Sequence, residues 1–215
     1  MLKLMTQGGP LMWLILGLAV VAVAVFLERW LHLHRAHINT TDFVNGIRNI
    51  LRRGNVNEAL ALCEDTPGHV PPVIKAGIDN RERSREEVRE AMLDVGHSET
   101  ARLERRLVVL ATIAQVAPLI GFLGTVMGMI QMFRVVQERQ LPSPGELAGG
   151  VWMALLTTAG GLIVAVPAYI AYNFLVTRVQ HLVLDMEKAA NEMLSFLVRR
   201  TEGSDKEETK SASKP

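Results

Sequence analysis

Cysteine is almost missing from this chain of 215 residues: Cys63 stands alone, so no disulfide closes within it and no thiolate cluster is offered to a metal. Also missing is any nucleophile–base pair, phosphate-cradling glycine loop or nucleotide fingerprint. That argues against an enzyme that makes or breaks covalent bonds, and no cofactor is expected. Neither charge is in excess, with 23 Lys and Arg against 22 Asp and Glu, so the net charge of +1 says little of partners. The absence with the largest consequence is local. Residues 4–27, 107–133 and 147–177 hold not one Asp, Glu, Lys or Arg.

Those gaps are filled with apolar residues, which make up 49% of the chain. Each run exceeds the roughly 20 residues a helix needs to cross the hydrocarbon core. The first is too long for the apolar part of a signal peptide. Only Lys3 precedes it, and no small-x-small cleavage site comes before Glu28, so it reads as a retained transmembrane helix. Arg29 and Arg35 follow the first run, Arg102, Arg105 and Arg106 precede the second, and Arg178, Lys188, Arg199 and Arg200 follow the third. The opposite side offers Lys3, Arg134 and Arg139. Positive residues mark the cytoplasmic side. The predicted order is an outer N-terminus (1–10), a span (11–28), a cytoplasmic helical domain (29–106), a second span (107–133), an outer loop (134–146), a third span (147–177), a cytoplasmic helix (178–200) and a disordered tail (201–215). The tail has too few apolar residues to offset the entropy of ordering. The fold class is therefore an all-α membrane protein with three transmembrane helices and long cytoplasmic helical extensions.

In the cytoplasmic part, Phe43, Val44, Ile47, Ile50 and Leu51 recur at helical spacing behind a Thr41/Asp42 cap, and Gly54 stops them. Asn55 or Asn57 opens a second short helix that ends before Thr66-Pro67-Gly68, and Pro71-Pro72 delays a third to about 73–80. Ser84 with Glu87 forms a capping box. From about residue 84 the pattern predicts one helix continuous with the second span, with Val88, Met92, Val95 and Leu103 as its sparse apolar stripe.

The last two spans are apolar without being plain. Gly121, Gly124 and Gly128 share one face of the second, and Gly150, Ala154, Thr158, Gly161, Ala165 and Ala168 trace a small-residue stripe on the third. Small residues let helices approach closely in lipid, where association depends on packing. The notable polar groups at this depth are the hydroxyls of Thr125, Thr157 and Thr158. They suit either plain helix packing, each bonded to its own helix, or a narrow polar route whose titrating group comes from elsewhere. Pro118 and Pro167 interrupt the helices, which is tolerable where neighbours satisfy the freed carbonyls. His32, His34 and His37 do not share a helix face, so no metal is expected there. Trp13, Trp30 and Trp152 read as interface anchors or packing residues.

Residues 117–133, APLIGFLGTVMGMIQMF, and 149–173, GGVWMALLTTAGGLIVAVPAYIAYN, resemble the two signature segments of the MotA/TolQ/ExbB proton channel family. The likeness is nearest to its ExbB branch, with TolQ second. The opening GGPLMWLILGLAVVAVAVFLERWLHLHR is similar to that branch too, including Glu28-Arg29 at the cytoplasmic end of the first span. The resemblance implies a homopentamer in a bacterial inner membrane, with a periplasmic N-terminus, around two copies of an ExbD/TolR-like single-span partner. That partner carries the proton-accepting aspartate, and proton flow turns one ring against the other. The function implied is the proton-channel subunit of an ExbB–ExbD type motor that works through a TonB-like transducer to energise outer-membrane transport. A TolQ-like role in the Tol-Pal envelope motor is the alternative, and a passive oligomeric scaffold the reading from another class. Thr125 and Thr158 match the threonines that line the family's proton route, with Thr157 beside them, while Pro167, Tyr172 and Asn173 match a structural PAxxxYN ending. One position departs: Met153 stands where ExbB and TolQ commonly have glutamate. Sodium could replace the proton as fuel.

Overall fold

The computed structural model describes residues 9–35, 39–138 and 143–212, and all regular structure among them is helical. Seven helices follow in order: α1 (Gly9–Arg35), α2 (Thr40–Arg52), α3 (Val56–Asp65), α4 (Val70–Asp79), α5 (Arg85–Glu104), α6 (Leu107–Glu138) and α7 (Pro144–Ala212). They divide between two compact units. One holds the chain up to Leu31 with Arg106–Val176, the other His32–Arg105 with the chain from Thr177 onward.

The first unit gathers the three long apolar segments: Gly9–Leu31, Leu107–Glu138 and the apolar part of Leu147–Arg199. Its outward faces carry Leu119, Phe122, Ile163 and Ile170, all more than 60% exposed. A surface so apolar suits lipid and not water. The second span is the most enclosed, with 39% of its core window buried against 11% for the first. Pro118 lies inside α6 and Pro167 inside α7, each costing one ladder hydrogen bond.

The second unit is a helical bundle with an ordinary hydrophobic core. Val44, Ile47 and Leu51 of α2, Ile74 and Ile78 of α4, and Val88, Met92 and Leu103 of α5 are all buried. The later part of α7 adds Val179, Met186, Ala189, Met193 and Leu197, spaced by three, four or seven residues so that they share a face. The local signals work as chemistry requires. Gly54 takes φ +86° after α2, a conformation that L side chains rarely adopt. Ser84 Oγ accepts from the Glu87 N–H at 3.4 Å, while a Glu87 carboxylate oxygen accepts from the Ser84 N–H at 3.0 Å.

Several expectations about this unit need correction. The helix predicted to run unbroken from about residue 84 is two helices, interrupted at Arg105–Arg106. Arg105 keeps helical dihedrals of −47° and −38°, so the interruption is slight and local propensity does not announce it. The third short helix starts at Val70 and not beyond the prolines: Pro71-Pro72 occupy its first turn, where a missing N–H costs nothing. α2 begins at Thr40 with Asn39 at the N-cap position, where the Asn39 side chain accepts no helix N–H and its amide instead donates to the Asp42 carboxylate at 2.7 Å. Helix α7 also carries its backbone through 201–212, the stretch read as a disordered tail. Extending an existing helix needs no new nucleus, so a composition too polar to fold alone can still propagate one.

Candidate functional site

Helices α6 and α7 meet in the first unit along a seam made of glycine. A Cβ added at Gly161 would stand 2.6 Å from the Ala117 carbonyl oxygen, and one at Gly128 2.7 Å from the Gly150 oxygen. A Cβ at Gly150 would stand 3.0 Å from the Gly128 oxygen, and one at Gly121 3.1 Å from the Thr157 oxygen and the Thr158 Cα. A Cβ at Gly124 would overlap the Thr157 hydroxyl. The two small-residue faces therefore pack on each other within one chain, with Ala154 between them and Ala165 and Ala168 also buried.

The three hydroxyls occupy different positions on this seam. Thr157 is completely buried, and its hydroxyl lies 2.9 Å from the Ala154 oxygen and 3.1 Å from the Met153 oxygen, both of its own helix. Thr158 reaches across: its hydroxyl lies 3.1 Å from the Gly121 oxygen of α6 and 3.2 Å from the Ala154 oxygen. Having one proton, it donates to one carbonyl at a time and keeps its lone pairs as acceptors. Thr125 is half-buried and donates to the Phe122 carbonyl of its own helix. Of the three, only Thr158 bonds between helices. No acid or base lies on the charge-free stretches of either span, so nothing here titrates near neutrality.

The remaining sequence candidates scatter. Pro167 and Asn173 are exposed, Tyr172 and Pro118 half-buried. Glu28 pairs with Arg106, tying the end of α1 to the start of α6, and Arg29 beside it is buried. Met153 points its S-methyl at Gly9, where an added Cβ would come within 2.5 Å. The side chains of His32 and His34, and all of His37, lie outside the described residues. Among the described residues no three His, Cys, Asp or Glu side chains converge as a metal site.

Two features of the second unit escaped the sequence reading. Glu99 is buried, with His69 Nδ1 at 2.9 Å from one carboxylate oxygen and Arg102 at 2.9 Å from the other. Burial resists its ionisation, but the hydrogen bonds from His69 and Arg102 outweigh that and hold its carboxyl below the usual range. The signal was its phase, since Glu99 continues the Val88–Met92–Val95 stripe. The other feature is a pair of guanidinia, Arg48 and Arg52, stacked on the Phe196 ring at 5.5 and 5.9 Å from its centroid.

With this geometry in place, comparison with known proteins supplies the class. Residues 66–188, more than half of the chain, match the MotA/TolQ/ExbB proton channel family, and the chain belongs to that family. Among individual relatives, a putative biopolymer transport protein ExbB homolog of Methanothermobacter thermautotrophicus is 28% identical over 179 residues, 83% of this chain and 63% of the relative. The biopolymer transport protein ExbB of Aquifex aeolicus is 43% identical over 93 residues, 43% of this chain and 63% of the relative. The Tol-Pal system protein TolQ of Pseudomonas aeruginosa is 31% identical over 173 residues, 80% of this chain and 70% of the relative. The aligned chain thus spans under two thirds of the first two relatives. It is a membrane protein of an ion-conducting family whose nearest resemblance is to ExbB, then TolQ.

Proposed function

We propose that this chain is the channel-forming subunit of an ExbB-type motor in a bacterial inner membrane, with its second unit in the cytoplasm. Five copies would enclose a single-span partner of the ExbD/TolR kind, whose membrane aspartate carries the proton. The motor would drive a TonB-like transducer. The observation that carries this reading is the α6–α7 seam: a close-packed helix pair, free of acid and base, with the Thr158 hydroxyl lying between the helices. A carboxylate brought to that depth is expensive to ionise unless polar groups meet it. The Thr158 and Thr125 hydroxyls can donate to its charged form or accept from its protonated one, with the sealed Thr157 packing the seam beside them. Met153, packed toward α1, leaves the housing without a carboxylate of its own, so the proton carrier belongs to the partner.

A TolQ-like role is the second reading, favoured by the alignment to TolQ across 80% of the chain. Complementation separates the two. Restoring TonB-dependent uptake in an ExbB-deficient host supports the first, and restoring envelope integrity in a TolQ-deficient host the second. The motor itself is tested by Thr125→Val with Thr158→Val, in an assembly reconstituted with its partner in liposomes. A hydrogen bond to a charged group contributes about 1.5–3 kcal/mol, so proton flux should fall roughly ten- to a hundredfold. Undiminished flux from a stably assembled double variant would show that the hydroxyls are not part of the route, and no flux even from the parent assembly would leave the passive-scaffold reading.

A further inference from the structure

The second unit holds a cleft of about 610 Å³ that the motor reading does not use. It is lined by Arg48 and Arg52 of α2 and by Phe196 and Arg199 of α7, with Glu192 and Ser195 at its edge. Three guanidinia meet one carboxylate there, and no described acid lies within ion-pair distance of Arg48, Arg52 or Arg199. Arg48 and Arg52 stand four residues apart on one helix face, an arrangement that like charges disfavour. Both lie over the Phe196 ring, which attracts them but, being uncharged, neutralises neither. The Nε of Arg48 is closed over by protein atoms and makes no hydrogen bond, so an acceptor in the cleft would meet the rest of its guanidinium. A cluster of three like charges with one carboxylate at its edge is costly. Ser195 spends its own hydroxyl proton on the Asn191 carbonyl at 2.8 Å, which leaves its oxygen free to accept but not to neutralise anything.

We propose that this cleft is a binding site for a dianionic oxyanion of the phosphate class, gripped by Arg48 and Arg199 with Arg52 and the Phe196 ring as its wall. A single carboxylate would answer only one guanidinium, whereas a phosphoryl group presents three oxygens in a geometry that arginine forks match in pairs. The same phosphoryl chemistry comes from a soluble phosphate compound or from a phosphomonoester lipid headgroup.

The test is calorimetric titration of the full chain in phosphatidylcholine nanodiscs with inorganic pyrophosphate, at about 0.1 M salt so that unspecific attraction is screened. Saturable binding is expected, weakened at least tenfold in Arg48→Gln with Arg199→Gln. It should be unchanged in Arg53→Gln with Arg83→Gln, which removes the same charge from outside the cleft. A helical circular-dichroism spectrum equal to the parent's shows that both variants fold. Repeating the titration in discs containing phosphatidic acid sorts the source. Pyrophosphate binding lost there assigns the site to a lipid headgroup, and binding retained assigns it to a soluble phosphate. No saturable binding by the parent chain, or equal affinity in the cleft and control variants, overturns the proposal. Neither outcome touches the motor reading, which rests on the other unit.

Discussion

Gly161→Ala puts the α6–α7 seam to its most direct test. The added methyl would lie 2.6 Å from the Ala117 oxygen and 3.1 Å from the Gly121 Cα, where ordinary contact begins at 3.4 Å. Both obstacles are backbone, so no rotamer change relieves them and α6 must move off α7 by several tenths of an ångström. Overpacking of this kind costs about 1–3 kcal/mol. Alanine also returns about 1 kcal/mol of helix propensity at the substituted position. The net expectation is destabilisation by up to about 2 kcal/mol. Gly149→Ala on the same helix is the control, since its Cβ would meet nothing within 4 Å. It should gain the propensity term alone and unfold later than the parent by up to about 1 kcal/mol. Equilibrium unfolding of the single chain in mixed detergent–SDS micelles, followed by circular dichroism, measures both. The reasoning fails if the two variants shift the same way by the same amount, because the seam would then have room that this geometry denies it.

Other consequences can be checked in the second unit. Cys63 is buried and its thiol is pushed up to about 11 by that burial, so at pH 8 only about one molecule in a thousand is thiolate. Alkylation by iodoacetamide should be slow until the unit unfolds, and rapid labelling of folded protein would contradict its place on the buried face of α3. Glu99, held below the usual carboxylate range, contributes stability that is fully present at neutral pH and lost as pH falls through its folded value, below 4.5. Glu99→Gln should therefore cost about 1.5–3 kcal/mol at pH 7 and almost nothing in strong acid, measured by urea unfolding at both pH values. A constant difference across pH would mean that the carboxylate charge is not the stabilising agent.

Much of this architecture could be read directly from residue order, where the cause is local. Gly54 ends α2, Ser84 and Glu87 cap α5, and the charge-free runs mark the three spans, because each signal acts within a few residues or through simple absence. What stayed hidden depends on rotation and on distant partners. Adjacent threonines on a helix point about 100° apart, so only the packing of α7 on α6 decides that Thr157 is sealed against Gly124 while Thr158 bonds to Gly121. The spacing marks both and ranks neither. Glu99 hid because a carboxylate in an apolar stripe declares itself only when His69, thirty residues earlier, closes over it. The break at Arg105–Arg106 hid because those residues are good helix formers with helical dihedrals up to the interruption.

Within lipid, the glycine seam has an unusual mutational grammar. Water drives no association there, since acyl chains are as apolar as the side chains they would replace. What holds α6 to α7 is fit. Substitutions along Gly121, Gly124, Gly128, Gly150 and Gly161 should therefore be sorted by volume, with serine tolerated better than leucine. On the outward faces, at Phe122 or Ile163, the order should turn over: almost any apolar size is admitted and a charge is not. A library scored by position would thus draw the boundary between seam and lipid face from the chemistry each refuses.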